Sequence, residues 1–156
     1  RGTGESIWEI KQKTGMLSPE LHLFFDRGAT AYHTLASGLW DTIGLFRQLS
    51  PEQHELVLEW LRFLDLDPYR NHLLGSLPAG IQRMLLLGRA MIKTPPLLVL
   101  DEPCQGLDQE HIELVKDLIG RYCGHYGATL IYVSHYSAEL PGCINRFLRL
   151  QNGSIV

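Results

Sequence analysis

An apolar run that ends in two carboxylates constrains this sequence more than any other feature. The run Leu97–Leu98–Val99–Leu100 has strand length, and Asp101 and Glu102 follow it directly. A continuous apolar run is typical of a strand in a parallel sheet that is covered on both faces. Ligands of open α/β sheets bind beyond the carboxyl ends of the strands. The acidic pair therefore predicts a positively charged ligand at this edge, and the alternative is a solvated strand end.

The next β-rich run along the chain also ends in a residue that can do chemistry. The segment 128–133 is followed by Ser134 and His135. We hypothesise that Asp101 holds a Mg²⁺ shell through water and that Glu102 orients or deprotonates a water that attacks a phosphoryl group. A neutral imidazole at His135 is placed to contact that phosphate. Taken alone, a histidine after a strand is more often structural.

Strand and helix patterns alternate along the chain, which predicts an α/β fold with a parallel sheet. The helix that opens at Pro51 has Ser50 as N-cap and is expected to close at Asp67–Pro68. The other predicted elements are a strand over 14–18, helices over 77–92 and 109–122, and a hairpin of 146–150 with 154–156 around Asn152–Gly153. A helical insert over 20–76 predicts a subdomain that leans on the sheet.

Composition narrows the possible partners. The chain has 156 residues and a formal net charge of -3, and no block of Lys or Arg stands out, so direct nucleic-acid binding is not expected. No apolar run approaches the roughly 20 residues that cross a bilayer. The spacing of the three cysteines fits neither a disulfide framework nor a zinc site, which predicts reduced thiols in the cytoplasm.

Four motifs in this order resemble those of ABC-type ATPases, a class of P-loop NTPases. They are Leu77–Arg83 (signature), Leu97–Pro103 (Walker B), Gly106–Asp108 (D-loop) and Val133–His135 (switch histidine). The resemblance implies ATP and Mg²⁺ as cofactors, a second ABC ATPase domain as partner, Glu102 and His135 as catalytic residues and Asp101 as metal ligand. It further implies that the nucleotide is contacted by Leu77, Pro78, Ala79, Gly80, Gln82 and Asp108.

A closer likeness is to the second ATPase domain of ModF-type, or photorepair, proteins. It is carried by the segments 2–8, 17–23, 37–45 and 105–108. This resemblance implies a link to molybdate transport. It also implies a cytoplasmic protein that works with a membrane permease at the inner face of the cell membrane.

The sequence departs from the ABC pattern in several places. No Gly-Lys pair occurs, so the loop that cradles phosphates is missing. We therefore expect an N-terminally truncated ATPase domain that is inactive in isolation and divides into a core remnant (1–19), a helical subdomain with the signature helix (20–93) and an α/β core (94–156). The absent strand would lie beside 129–133 and leave an open edge, so we expect the chain to self-associate.

The signature and the first loop depart as well. Pro78 stands at the position of the signature serine, and Ile81 at that of the following glutamine. Either this loop completes a weak or silent site, or Ser76 acts merely as a helix cap. Ser18–Pro19–Glu20 stands where the family has a glutamine, which leaves coupling to a membrane partner open. The spacing of His22 and His33 fits no metal site.

Two other functions stay open at this point. One is a regulatory nucleotide-binding domain without turnover, which Pro78 and Ile81 favour. The other is a soluble ABC ATPase of DNA repair or translation. The absence of a long coiled coil, zinc cysteines and a basic patch argues against the second.

Overall fold

A computed structural model describes residues 4, 6–151 and 153–155 of the chain. The helices are α1 (Ile7–Lys13), α2 (Pro19–Phe24), α3 (Ala31–Ala36), α4 (Pro51–Phe63), α5 (Ala79–Met91) and α6 (Gln109–Tyr126). The strands are β1 (Thr14–Leu17), β2 (Leu97–Asp101), β3 (Thr129–Val133), β4 (Leu150–Gln151) and β5 (Ser154–Ile155). Short 3₁₀ turns occupy Ser37–Leu39, Asp67–Tyr69, Leu74–Ser76 and Ser137–Glu139.

The main sheet has the order β1-β2-β3, and both pairings are parallel. Thr14 lies beside Leu97, and Asp101 at the end of β2 lies beside Val133 at the end of β3. The predicted α/β fold with a parallel sheet is therefore confirmed. In the described residues, β3 pairs with β2 alone, so its other side is an edge.

The two faces of the sheet differ in how far they are covered. Leu17, Leu98 and Leu100 are fully buried on one face. On the opposite face Met16, Ile131 and Val133 are nearly half exposed (46–49%), because side chains alternate along a strand. The expectation of a sheet covered on both faces is thus met on one face only within the described residues.

Helix α5 lies at the centre of the packing. All its residues from Arg83 to Met91 are buried, as expected for a helix with apolar neighbours on every side. Its backbone comes very close to two other segments: a Cβ built on Gly15 would lie 2.2 Å from the Ala90 carbonyl oxygen. One built on Gly38 would lie 2.2 Å from that of Arg89. Glycine is required at both positions because no side chain fits between the two backbones.

A buried charged network holds the end of α5 to the segment after α3. Arg89 donates to Ser37 Oγ at 3.1 Å, to Asp41 Oδ1 at 3.2 Å and to the Thr42 carbonyl at 3.0 Å. Lys93 lies 3.7 Å from the second Asp41 carboxylate oxygen. Burial lowers the pKa of both Arg89 and Lys93, and the Asp41 carboxylate opposes that shift. Asp41 is therefore the counter-ion of two nearly inaccessible cations.

Several helix ends differ from the prediction. α4 ends at Phe63 rather than at Asp67–Pro68, because Asp65 takes a left-handed backbone conformation with φ of 58°. α6 continues beyond Tyr122 to Tyr126 and ends where Gly127 takes φ of 63°. The Ser50 capping box at the start of α4 is confirmed.

The insert and the hairpin are less regular than predicted. The insert consists of short helices, 3₁₀ turns and an irregular stretch over 40–50 instead of a largely helical unit. The hairpin pairs only Leu150–Gln151 with Ser154–Ile155, and Asn152 lies outside the described residues.

Across the described ranges, every helix is too short or too polar to cross a bilayer. The division of the chain into a core remnant (1–19), a helical subdomain (20–93) and an α/β core (94–156) stays a prediction.

We expect Gly38→Ala to lower the free energy of unfolding by about 1–3 kcal/mol, because the new methyl group meets the Arg89 carbonyl. Gly120→Ala is the matched control. Gly120 lies within α6 with nothing inside 4 Å of an added Cβ, so alanine should stabilise by about 0.5–1 kcal/mol. Urea unfolding of both variants measures the difference. Equal stability of Gly38→Ala and the unsubstituted chain would contradict the packing described here.

We expect Asp41→Asn to destabilise the fold by about 3 kcal/mol, because it leaves the Arg89 and Lys93 side chains, 3% and 5% exposed, without a counter-ion. Asparagine tolerates the left-handed conformation of Asp41 (φ 54°), so the backbone is not the cause. Asp65→Asn, at an exposed residue with φ of 58°, is the control and should change stability by less than about 0.5 kcal/mol. Thermal or urea unfolding that gives the two variants the same loss would refute the role of the network.

Candidate active site

Glu102 and His135 meet at the carboxyl ends of β2 and β3. The Glu102 main-chain N–H donates to the Val133 carbonyl at 3.0 Å, one step beyond the end of β2. The His135 main-chain N–H donates to Glu102 Oε1 at 3.1 Å, and His135 Nε2 lies 3.5 Å from the same oxygen. The structure thus brings together the carboxylate and the imidazole that the sequence predicted to share one edge.

The backbone at Glu102 is strained. Its φ is 46°, in the left-handed region that residues other than glycine rarely adopt. Such a conformation costs on the order of 1 kcal/mol or more and is found preferentially at functional sites. The Glu102 side chain is 14% exposed, whereas that of His135 is 87% exposed. The carboxylate is therefore held in place, while the imidazole is accessible to a ligand.

Asp101 belongs to the less covered face of the sheet. It follows Leu97 and Val99 in the alternation along β2, and all three are half-buried. Among the described residues, no group of three or more His, Cys, Asp and Glu side chains could hold a metal ion. A Mg²⁺ ion at Asp101 would consequently need water and phosphate oxygens as its other ligands, and such a shell suits the octahedral preference of Mg²⁺.

A polar layer supports the loop that carries His135. The Tyr132 hydroxyl donates to the Glu139 carbonyl at 2.8 Å and lies 3.4 Å from Cys104 Sγ. Ser134 Oγ donates to the Glu139 carboxylate at 2.8 Å. Burial raises the pKa of both Tyr132 and Cys104, so they stay neutral. Sequence reasoning missed Tyr132 and Glu139, since nothing local marks them as partners.

The signature segment begins differently from the prediction. The helix predicted over 77–92 is α5, which starts at Ala79. Pro78 is its N-cap residue and contributes no side-chain hydrogen bond. Ser76 Oγ donates to the Leu73 carbonyl at 2.8 Å within a 3₁₀ turn. The hypothesis that Ser76 caps this helix is therefore wrong. Gln82 Nε2 donates to the Leu77 carbonyl at 2.7 Å.

Gly80 lies directly against a histidine that sequence reasoning missed. A Cβ on Gly80 would lie 2.3 Å from His111 Cδ2. Asp108 caps α6: its Oδ1 accepts from the His111 main-chain N–H at 2.9 Å and lies 2.7 Å from His111 Nδ1. These interactions, the main-chain hydrogen bond first, lower the pKa of Asp108. The spacing of an N-cap aspartate and a histidine three residues later was the available sequence signal.

Arg83 links α5 to the loop after β2. It is 6% exposed, and its Nη2 donates to the Gln105 carbonyl at 3.4 Å. Its Nη1 is buried and has no hydrogen-bond partner among the residues that the structure describes. A cleft of about 430 Å³ adjoins this link and is lined by Pro19, Glu20 and Gln82, among others.

The predicted site residues thus form two groups. Asp101, Glu102 and His135 share the edge of β2 and β3. The second group is the segment Leu77–Gln82, which includes Pro78, Ala79 and Gly80, together with Asp108. Gly80 packs against His111, and His111 in turn contacts Asp108. His33 is exposed, and the His22 side chain lies outside the described residues.

Comparison with known sequences finds relatives along almost the whole chain. The ABC transporter ATP-binding protein ModF of Escherichia coli is 38% identical over 149 residues, which cover 95% of this chain and 30% of ModF. The zinc uptake system ATP-binding protein ZurA of Listeria innocua is 31% identical over 150 residues, 94% of this chain and 58% of ZurA. The chain therefore spans about a third to over half the length of these relatives. No protein-family model matches it.

Solved structures give the same fold. The ATP-binding cassette MJ0796, in a dimeric post-hydrolysis state bound to ADP and Pi, superimposes with a TM-score of 0.70 at 22% identity. The match covers 87% of this chain and 60% of that cassette. The chain is therefore a homologue of ABC transporter ATP-binding proteins and has the P-loop NTPase fold of their ATPase cassettes.

Proposed function

We propose that this chain is the hydrolytic part of an ABC ATP-binding domain that, in the intact protein, converts ATP to ADP and phosphate. The observation that carries the proposal is the contact between Glu102 and His135 at the carboxyl ends of two parallel strands. The strained φ of Glu102 supports it, because such strain is kept where geometry matters for chemistry.

Each residue has a distinct role in this proposal. Asp101 holds the water shell of Mg²⁺, which supplies charge neutralisation at the phosphates when it is bound. Glu102 orients the attacking water and takes its proton. His135 donates a hydrogen bond from its exposed imidazole to a γ-phosphate oxygen. The His135 main-chain N–H on Glu102 Oε1 keeps the carboxylate and the imidazole in a fixed relation.

The residues that cradle the triphosphate are proposed to lie outside this chain. The sequence has no Gly-Lys pair, and a phosphate-binding loop needs one. In the relative ModF, the matched residues make up 30% of the length. The less covered sheet face, which carries Asp101 together with Met16 and Ile131, is the surface on which such a segment would pack.

A second ABC ATPase domain is the proposed partner, in keeping with the dimeric state of the structural relative. The segment Leu77–Gln82 and Asp108 would act on nucleotide held by that partner. Pro78 has no hydroxyl to offer a phosphate, so we propose that the site completed by this segment is weak. A cytoplasmic location, a permease partner and a link to molybdate are proposed from the resemblance to ModF-type proteins alone.

We expect Glu102→Gln in the intact protein to abolish steady-state ATP hydrolysis, with a loss of at least about 100-fold, and to trap ATP, because binding is kept while the general base is lost. Glu110→Gln, an exposed residue in the first turn of α6, is the control and should leave hydrolysis unchanged. Phosphate release and retained radiolabelled nucleotide are the measurements. If Glu102→Gln changes neither, the domain is a regulator rather than an enzyme.

We expect the 156-residue chain to bind ATP poorly and not to hydrolyse it measurably, because the phosphate cradle and its lysine supply most of the affinity for a triphosphate. Calorimetric titration with Mg-ATP measures this, and the intact protein is the positive control. Stoichiometric binding by the chain alone would show that other residues hold the triphosphate.

A further inference from the structure

The Ser134 hydroxyl is engaged on both sides of His135. It accepts a hydrogen bond from the Tyr136 main-chain N–H at 3.1 Å and donates one to Glu139 Oε2 at 2.8 Å. A second acceptor, the Tyr136 carbonyl, is farther away at 3.5 Å. A hydroxyl has one proton to donate, so the Glu139 carboxylate is its better partner. His135 therefore lies within a loop that the Ser134 side chain closes.

The Glu139 backbone is held in place independently of Ser134. Its carbonyl accepts from the Tyr132 hydroxyl at 2.8 Å, and its main-chain N–H closes a 3₁₀ turn. The preceding residue, Ala138, is tied to α6, because Lys116 Nζ donates to its carbonyl at 3.0 Å. The half-buried Glu139 side chain thus offers the Ser134 hydroxyl an acceptor from a fixed backbone position.

The contact between His135 and Glu102 depends on the register of the chain after β3. In a parallel ladder, a residue donates its N–H to one carbonyl of the neighbouring strand and accepts, on its own carbonyl, from the N–H two residues further on. Glu102 makes the first bond, to the Val133 carbonyl at 3.0 Å. Its backbone then leaves the strand at φ of 46°, and its side-chain Oε1 accepts the second bond, from the His135 N–H at 3.1 Å. The orientation of the Glu102 carboxylate therefore requires residues 134 and 135 to continue the register of β3.

We propose that Glu139 and Ser134 are positioning residues that hold His135 against Glu102. The inference rests on the proposed function, because it assigns the two residues to the same hydrolytic site. The Glu139 carboxylate fixes the Ser134 hydroxyl, and the hydroxyl keeps the loop in register with β2. That register sets the position of the imidazole and of the general base. Both positioning residues act through His135 and are assigned no contact with the nucleotide.

Loss of this anchor is expected to lower turnover rather than to unfold the domain. Ser134 and Glu139 are half-buried and lie outside the hydrophobic core. Without the carboxylate, the Ser134 hydroxyl can turn to the Tyr136 carbonyl, which belongs to the same loop. The loop would then no longer be tied to the segment that α6 holds. Displacement of a catalytic group by about 1 Å can lower a rate by about 100-fold.

A matched pair of substitutions at Glu139 tests the hydrogen bond in the intact protein. Glu139→Gln keeps an acceptor oxygen at the same distance from the backbone, whereas Glu139→Leu has a similar size and no acceptor. We expect Glu139→Leu to lower kcat about 10-fold with a change in KM for ATP of less than about twofold, and Glu139→Gln to keep most of the turnover. Ser134→Ala and Ser134→Thr should repeat this pattern, since only threonine keeps the hydroxyl. Equal kcat for the two members of either pair would overturn the proposal.

Hydrogen exchange in the intact protein separates positioning from a general loss of stability. The His135 amide is hydrogen-bonded to Glu102, so its exchange rate reports on the anchor directly. We expect exchange over residues 134–137 to become several-fold faster in Glu139→Leu and to stay unchanged in Glu139→Gln, while the amides of β2 and α5 exchange as slowly as in the unsubstituted protein. Unchanged exchange at His135 in Glu139→Leu, or faster exchange throughout β2 and α5, would count against the positioning role.

The two measurements keep this inference apart from the proposed function. Faster exchange at His135 without any loss of kcat would refute a role of the anchor in hydrolysis. If exchange responds as expected but no form of the intact protein hydrolyses ATP, the anchor stands and the proposed ATPase function fails.

Discussion

The parallel pairing of β2 with β3 is the interaction on which the candidate site depends. The ladder continues one step past β2, where the Glu102 N–H donates to the Val133 carbonyl. A second main-chain donor, at His135, then engages the Glu102 carboxylate. The first hydrogen bond fixes the Glu102 backbone beside the end of β3, and the second ties the Glu102 carboxylate to the His135 main chain, so strand pairing places the two residues side by side. The left-handed conformation of Glu102 is the local cost of this arrangement.

Burial of α5 connects this edge with the rest of the molecule. The helix contacts β1 at Gly15 and the segment after α3 at Gly38, in both cases backbone against backbone. Its N-terminal end is bounded by His111 and by the hydrogen bond from Arg83 to the loop after β2. The signature segment is thus positioned by the core behind it and by α6 in front, which suits the proposed contact with a nucleotide held by a partner.

The uneven cover of the sheet supports the proposed assembly. Apolar side chains such as Met16, Ile131 and Val133 remain nearly half exposed on the face that also carries Asp101. Apolar surface of this kind is stabilised when another segment covers it. A segment that covered this face and carried a phosphate-binding loop would bring the triphosphate close to Asp101, Glu102 and His135.

The sequence by itself determined the parts that depend on near neighbours. The apolar run of β2, the capping box at Ser50 and the order of the motifs each follow from residues a few positions apart, and the structure contains all three. The end of α4 was predicted too late because buried apolar residues continue through Leu66, whereas Asp65 already takes a left-handed backbone conformation that ends the helix. Only the tertiary structure decided that His111 covers Gly80 and that Tyr132 and Glu139 support the histidine loop. These contacts join segments far apart in the chain, and their formation depends on how whole helices and strands pack, which no local pattern encodes.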